Sequence, residues 1–301
     1  MSLVRHISLA AIMLAFAAGL CLAGDDLDLH TAAGAGDLAR MDTLLRQSPD
    51  LVHARDALGF TPLDVAARNL RVKAAELLIE AGADVNAKDR HGTTALHVVL
   101  AVHRKEKGLQ THRKALVSLL IKSGADVKAT DGRGKTPLHI VAMTGQDPLL
   151  ELLHKAGTDL AAKDHLGRTP LHYAAMYDHP TVIDWFLAHG VDSSVKDKQQ
   201  NTPLHCAVMR FRRQAARHLI DGGAGVNALN DQGATPLHLT GSHGPQESEV
   251  DHLMAGVAGV LLDGGAKVNA LDREGLTPLH HALAKERTQL ADVLRRNGAR
   301  E

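Results

Sequence analysis

Thr169-Pro170-Leu171-His172-Tyr173-Ala174-Ala175 is one copy of a phrase that the chain writes seven times. The other copies begin at Thr61, Thr94, Thr136, Thr202, Thr235 and Thr277. Successive starts lie 33, 42, 33, 33, 33 and 42 residues apart, so two intervals carry nine extra residues. A fixed period in this range means stacked units, each too small to bury its apolar face alone.

The phrase reads as a helix start. Thr caps an orphan amide, and Pro at the first helical position gives up an N–H that had no partner. His falls at the third helical position, from which it can reach back to the Thr. Asp64 takes that place in one copy, and Ala95 replaces Pro in another. A second helix follows each phrase and ends at Gly82, Gly124, Gly157, Gly190, Gly223 or Gly265, where glycine tolerates the left-handed closing conformation. An extended piece such as Asp84-Val85-Asn86-Ala87 then leads to a tight turn running from an Asp or Asn to a Gly. The turn from Asp197 departs, because Gln200 stands where Gly is expected.

The phrase, the paired helices and the turns resemble the ankyrin repeat over almost the whole chain after residue 27. The resemblance implies an all-α solenoid of stacked helix-turn-helix units with short β-hairpin-like turns. Eight units are expected, at approximately 28–58, 59–91, 92–133, 134–166, 167–199, 200–232, 233–274 and 275–301. The first is a degenerate copy, in which Leu29-His30-Thr31-Ala32-Ala33 echoes the phrase. End units meet water on one face and are expected to be atypical.

Residues 1–23 differ from the rest. Arg5 precedes an almost wholly apolar run from Ile7 to Leu22, and Ala23 ends it with a small residue. This reads as a signal peptide cut after Ala23, leaving 24–301 as the mature domain. The expected location is periplasmic or secreted, by a bacterial route. An uncleaved membrane anchor and a lipid attached to Cys21 are the competing readings. After cleavage only Cys206 remains, so no internal disulfide is expected. Its place within a phrase points to a small buried hydrophobe.

Aromatic residues make up 2% of the chain, which suits thin Leu, Ala and Val layers better than one thick core. A formal net charge of +0 and scarce aromatics argue against a nucleic-acid partner. The segment Ala129-Thr130-Asp131-Gly132-Arg133-Gly134-Lys135-Thr136 loosely fits a phosphate loop, but it falls in register with the repeat turns. His97, His139, His172, His205, His238 and His280 recur on successive units. Packed helices stand ~8–10 Å apart, too far for neighbouring copies to share one zinc ion at ~2 Å from each nitrogen. No zinc helix, nucleophile elbow, calcium loop or paired-cysteine motif occurs, and no stretch is left over for a catalytic domain. No cofactor is expected, and the chain reads as a non-enzymatic binding protein. A membrane-tethered structural protein and a metal-dependent or enzymatic protein are the alternatives.

In ankyrin folds the inner helices and turn tips form a concave surface, and the resemblance implies the same here. Met143, Met176 and Met209 stand 33 residues apart just after the phrase, with Tyr177 and Arg210 beside two of them, and they read either as an adaptable binding stripe or as core packing between units. Arg90, His91, Arg133, His165 and Lys198 occupy turn tips. These ten residues are the candidates for a protein partner, with Met and Tyr as anchors and an acidic rim meeting the tips. A monomer with no membrane contact after cleavage is expected. The two insertions run roughly from His103 to His112 and from Gly241 to Val250. They read either as solvated loops or helix ends, or as specific contacts.

Overall fold

In a computed structural model of the protein, residues 25–102, 108–245 and 247–300 are described. The leader reading of 1–23 lies outside them, as does His103 through Lys107 of the first insertion. Among the described residues sixteen α-helices alternate between an inner and an outer row. The inner row is α1 (Asp25–Ala35), α3 (Pro62–Arg68), α5 (Ala95–Ala101), α7 (Pro137–Thr144), α9 (Pro170–Met176), α11 (Pro203–Met209), α13 (Pro236–Ser242) and α15 (Pro278–Ala284). The outer row is α2 (Leu38–Gln47), α4 (Val72–Glu80), α6 (Leu109–Lys122), α8 (Leu150–Lys155), α10 (Pro180–Ala188), α12 (Arg213–Asp221), α14 (Ser248–Asp263) and α16 (Thr288–Arg296). Each helix packs on its partner and on its counterparts in the neighbouring units, so the core is a continuous layer from Leu29 to Leu294. No strand occurs among the described residues, and the expected hairpin-like segments are turns.

The phrase starts its helix as its residues dictate. Thr94, Thr136, Thr169, Thr202, Thr235 and Thr277 each donate a backbone N–H to Nδ1 of the His three residues on, at 3.1–3.3 Å. At Thr61 the carboxylate of Asp64 takes that role at 2.7 Å. Each cap of this kind stabilises by ~1 kcal/mol.

The second ring nitrogen does something that no single unit reveals. Nε2 of His97, His139, His172, His205 and His238 lies 3.0–3.1 Å from the backbone oxygen of Lys135, Arg168, Asn201, Ala234 and Leu276 respectively. A carbonyl only accepts, so Nε2 carries the proton and Nδ1 is the acceptor. The neutral ring thus caps its own helix and bonds to the next unit. His30 makes the same reach to the oxygen of Phe60 at 2.9 Å. Burial pushes His172 and His205 down to about 4, and lowers His97, His139 and His238 by the same desolvation.

A second set of staples runs along the outer row. Arg71, Gln146, His179 and Arg212 bond back to the oxygens of Gly34, Leu100, Met143 and Met176, near the ends of the preceding inner helices. Arg287 continues the series to the oxygen of His243. The unsatisfied C-terminal carbonyls of one helix are thereby served by the next unit.

Both insertions lengthen outer helices. α6 has 14 residues and α14 has 16, against nine in α4, α10, α12 and α16. Buried Arg113 ties the start of α6 to the oxygen of Val102 at 2.6 Å. Asp251 of α14 accepts the N–H groups of Gln289 and Leu290, at 2.9 and 3.0 Å, and so caps α16. Gly241 lies where α13 meets α15; a Cβ there would stand 2.7 Å from the amide nitrogen of Ala282.

Candidate protein-binding surface

The turn tips form a regular edge. In each turn one carboxylate or amide oxygen gathers two backbone N–H groups. Asp131 takes those of Arg133 and Lys135, both at 2.8 Å, and Asp164 takes those of Leu166 and Arg168, also at 2.8 Å. The amides of the apparent phosphate loop are therefore already used, and Lys135 lies over the Tyr173 ring at 4.9 Å. The departing turn keeps this geometry: Asp197 accepts from Gln199 and Asn201, and Gln200 adopts the left-handed φ of 58°.

One backbone bond joins each tip to the next. Arg90, Gly132, His165, Lys198, Asp231 and Arg273 donate to the oxygens of Leu58, His91, Arg133, Leu166, Gln199 and Gln232, at 2.7–3.3 Å. These bonds fix the spacing of the tip side chains. Arg90, His91, Arg133, His165 and Lys198 are all exposed. None of the cations Arg90, Arg133 and Lys198 makes an ion pair among the described residues.

The methionine stripe is not a surface. Met143 and Met176 are only 5% and 8% exposed, and Met143 belongs to the core. The last turn of an inner helix is squeezed between its neighbours, so its side chain packs there. Met209 is half-buried against the core. Of the inner-face candidates, Tyr177 (41% exposed) and Arg210 face solvent. Cys206 is fully buried, and burial pushes its thiol up to about 12.

The sequence reading passed over one row of side chains. Arg55, Lys88, Thr130, Lys163, Lys196, Leu229 and Leu271 hold the position just before the turn Asp or Asn in consecutive units, and the same 33- and 42-residue steps separate them. All but the half-buried Lys196 are exposed. Arg55 donates to the oxygen of Lys88 at 2.7 Å, Lys88 to Thr130 at 3.0 Å, Lys163 to Lys196 at 3.3 Å and Lys196 to Leu229 at 2.8 Å. Leu229 and Leu271 are 49% and 62% exposed and line an open cleft with Lys196 and Arg273.

A family model described as ankyrin repeats matches the chain in three copies, over residues 29–107, 107–197 and 204–300. The chain belongs to the ankyrin-repeat family. Among curated proteins it is similar to Inversin of Gallus gallus, 41% identical over 71 residues, which is 24% of this chain and 6% of that protein. It is also similar to the serine/threonine-protein kinase VIK of Arabidopsis thaliana, 47% identical over 60 residues, 20% of this chain and 14% of the kinase. The Neurogenic locus Notch protein of Drosophila melanogaster is 45% identical over 58 residues, 19% of this chain and 2% of its own length. The chain spans only a small fraction of these relatives, so the likeness is one of repeats. Ankyrin repeats generally mediate protein–protein interaction, and this family is typically non-enzymatic.

Proposed function

We propose that the protein is a non-enzymatic scaffold, exported from the cytoplasm, that binds a protein partner through its turn tips and the exposed part of its inner face. The supporting observation is the edge of tips. Backbone bonds hold them rigidly in line, and they present Arg90, Arg133 and Lys198 without carboxylate partners among the described residues. Rigid elements presenting unpaired cations favour a partner with a complementary acidic rim. Tyr177 adds an aromatic anchor and Arg210 a cation on the inner face. The leader reading supports a periplasmic or secreted location with cleavage after Ala23, and the scaffold is taken to act as a monomer.

Two measurements test this. Mass spectrometry of the chain recovered from its host reads the N-terminus, and an intact leader in the membrane fraction favours a tethered protein. Cross-linking in cells, beside a copy carrying Arg90→Glu, Arg133→Glu, Lys198→Glu and Tyr177→Glu, reads the surface. We expect a protein partner that the altered copy loses while its helical content is unchanged. Equal capture by both copies would place binding elsewhere.

A further inference from the structure

The row just before the turns changes chemistry along the stack: cation, cation, Thr, cation, cation, Leu, Leu. Neighbouring units carry inner helices packed ~8–10 Å apart, and a chain in the polyproline II conformation advances ~3.1 Å per residue with three residues per turn. A segment in that conformation lying along the row therefore turns every third side chain to the same side and meets one position with each. Lys163 and Lys196 are already steered by a bond to a backbone oxygen of the next unit. An ammonium has three donors, so each keeps two free. Because these side chains are held in place, less rotamer entropy remains to be lost when a ligand binds. Neither lysine pairs with a carboxylate among the described residues. Beyond them the same row offers only apolar surface, at Leu229 and Leu271.

We propose that this row takes a protein segment in the polyproline II conformation with two carboxylates about three residues apart over Lys163 and Lys196, continued at the same interval by two large apolar side chains over Leu229 and Leu271. Its order is acid, acid, apolar, apolar, or the reverse, according to chain direction. This deepens the scaffold reading and rests on it. A nucleic acid fits the row less well. Its phosphates run on without a break, whereas the row turns apolar after Lys196.

The test is selection of displayed random peptides of about 12 residues on the full chain, followed by fluorescence anisotropy with the enriched peptides. The expected consensus carries Asp or Glu twice and Leu, Ile, Met or Phe twice at that interval. Lys163→Glu with Lys196→Glu should weaken binding at least about tenfold, and Leu229→Ser with Leu271→Ser should do likewise. These side chains lie at the surface, and circular dichroism checks that the variants keep their helices. Enriched peptides without the spacing, or binding that ignores either pair, would overturn the proposal. So would a single-stranded oligonucleotide that displaces the peptides and depends on the lysines but not the leucines. If cells yield a tip-dependent partner while no spaced peptide is enriched, this inference fails and the scaffold reading stands. If both come up empty, the scaffold reading fails as well.

Discussion

Acid should loosen the stack in a defined pH window, because its buried histidines accept the capping N–H at Nδ1 only as neutral rings. Desolvation holds His172 and His205 at about 4, against an ordinary 6.5. Their bonds to the oxygens of Asn201 and Ala234 act the other way but are the smaller effect. Above the unfolded value neither state carries the extra proton, and the full stability is present. As pH falls below it, the unfolded chain takes up protons that the folded chain refuses until about 4. At about pH 5 the gap is ~1.5 pH units per ring, or ~2 kcal/mol each. His97, His139 and His238 are displaced in the same direction and add to the loss. Asp64 opposes it. Desolvation raises its carboxyl to about 6 from 3.8, so its contribution is full below 3.8 and is lost as pH rises through about 6. By about pH 5 it has regained ~1.4 kcal/mol. His172, His205 and Asp64 together leave a net loss of ~3 kcal/mol on going from about pH 7 to pH 5. Urea midpoints followed by far-UV circular dichroism read this directly. His172→Gln should start less stable and then lose ~2 kcal/mol less over the same interval. Equal midpoints and slopes at the two pH values would refute the reasoning.

Three further outcomes follow from single positions. Asp64 leaves Oδ1 buried without a partner among the described residues, where its counterparts bond to the next unit; Asp64→His should raise stability by ~1 kcal/mol, read as a higher urea midpoint at neutral pH. Gln200 holds a φ of 58° that glycine adopts without strain; Gln200→Gly should stabilise by ~1 kcal/mol, and a lower melting temperature would count against the assigned turn. The Cys206 thiol, buried and pushed up to about 12, should react with a thiol reagent only in denaturant; labelling of the native chain at a free-thiol rate would contradict its placement.

What could be read beforehand was what a single unit contains. The Thr–His cap is an (i, i+3) relation, so the Nδ1 half of each histidine's task shows in one phrase. The Nε2 half does not, because its acceptor lies 29 residues on for His172 and 38 for His97. The outer staples are hidden for the same reason: Arg212 and His179 look like ordinary residues between helices until the preceding unit is placed beside them. The methionines failed for a different reason. A 33-residue recurrence marks a shared position in the unit, but it is the same for a side chain facing water and one facing the next helix. The row from Arg55 to Leu271 had that recurrence too. It was passed over because its members differ in chemistry, although a changing residue at a fixed place is what a recognition edge requires.

The staples are not evenly spread, and their distribution connects the fold to the surface. Asn86, Asn227 and Asn269 each bridge two units, donating to the oxygens of Gly124, Gly265 and Gly298 and accepting from the amides of Asp126, Lys267 and Arg300. Lys128, Ala161 and Ser194 stand at the same place in the middle of the chain and make no such bridge. In a stack whose stability is a sum over neighbouring interfaces, those central junctions must rest more on their histidines. They are the junctions of His97, His139 and His172, and the last two are crossed by the bonds from Lys163 and Lys196. Protonating the rings would therefore act first where the cationic row is held in register. Binding along that row and resistance to acid are then two readings of the same interfaces, and a segment spanning Lys163 to Leu271 would cross two of the three junctions that lack the asparagine bridge.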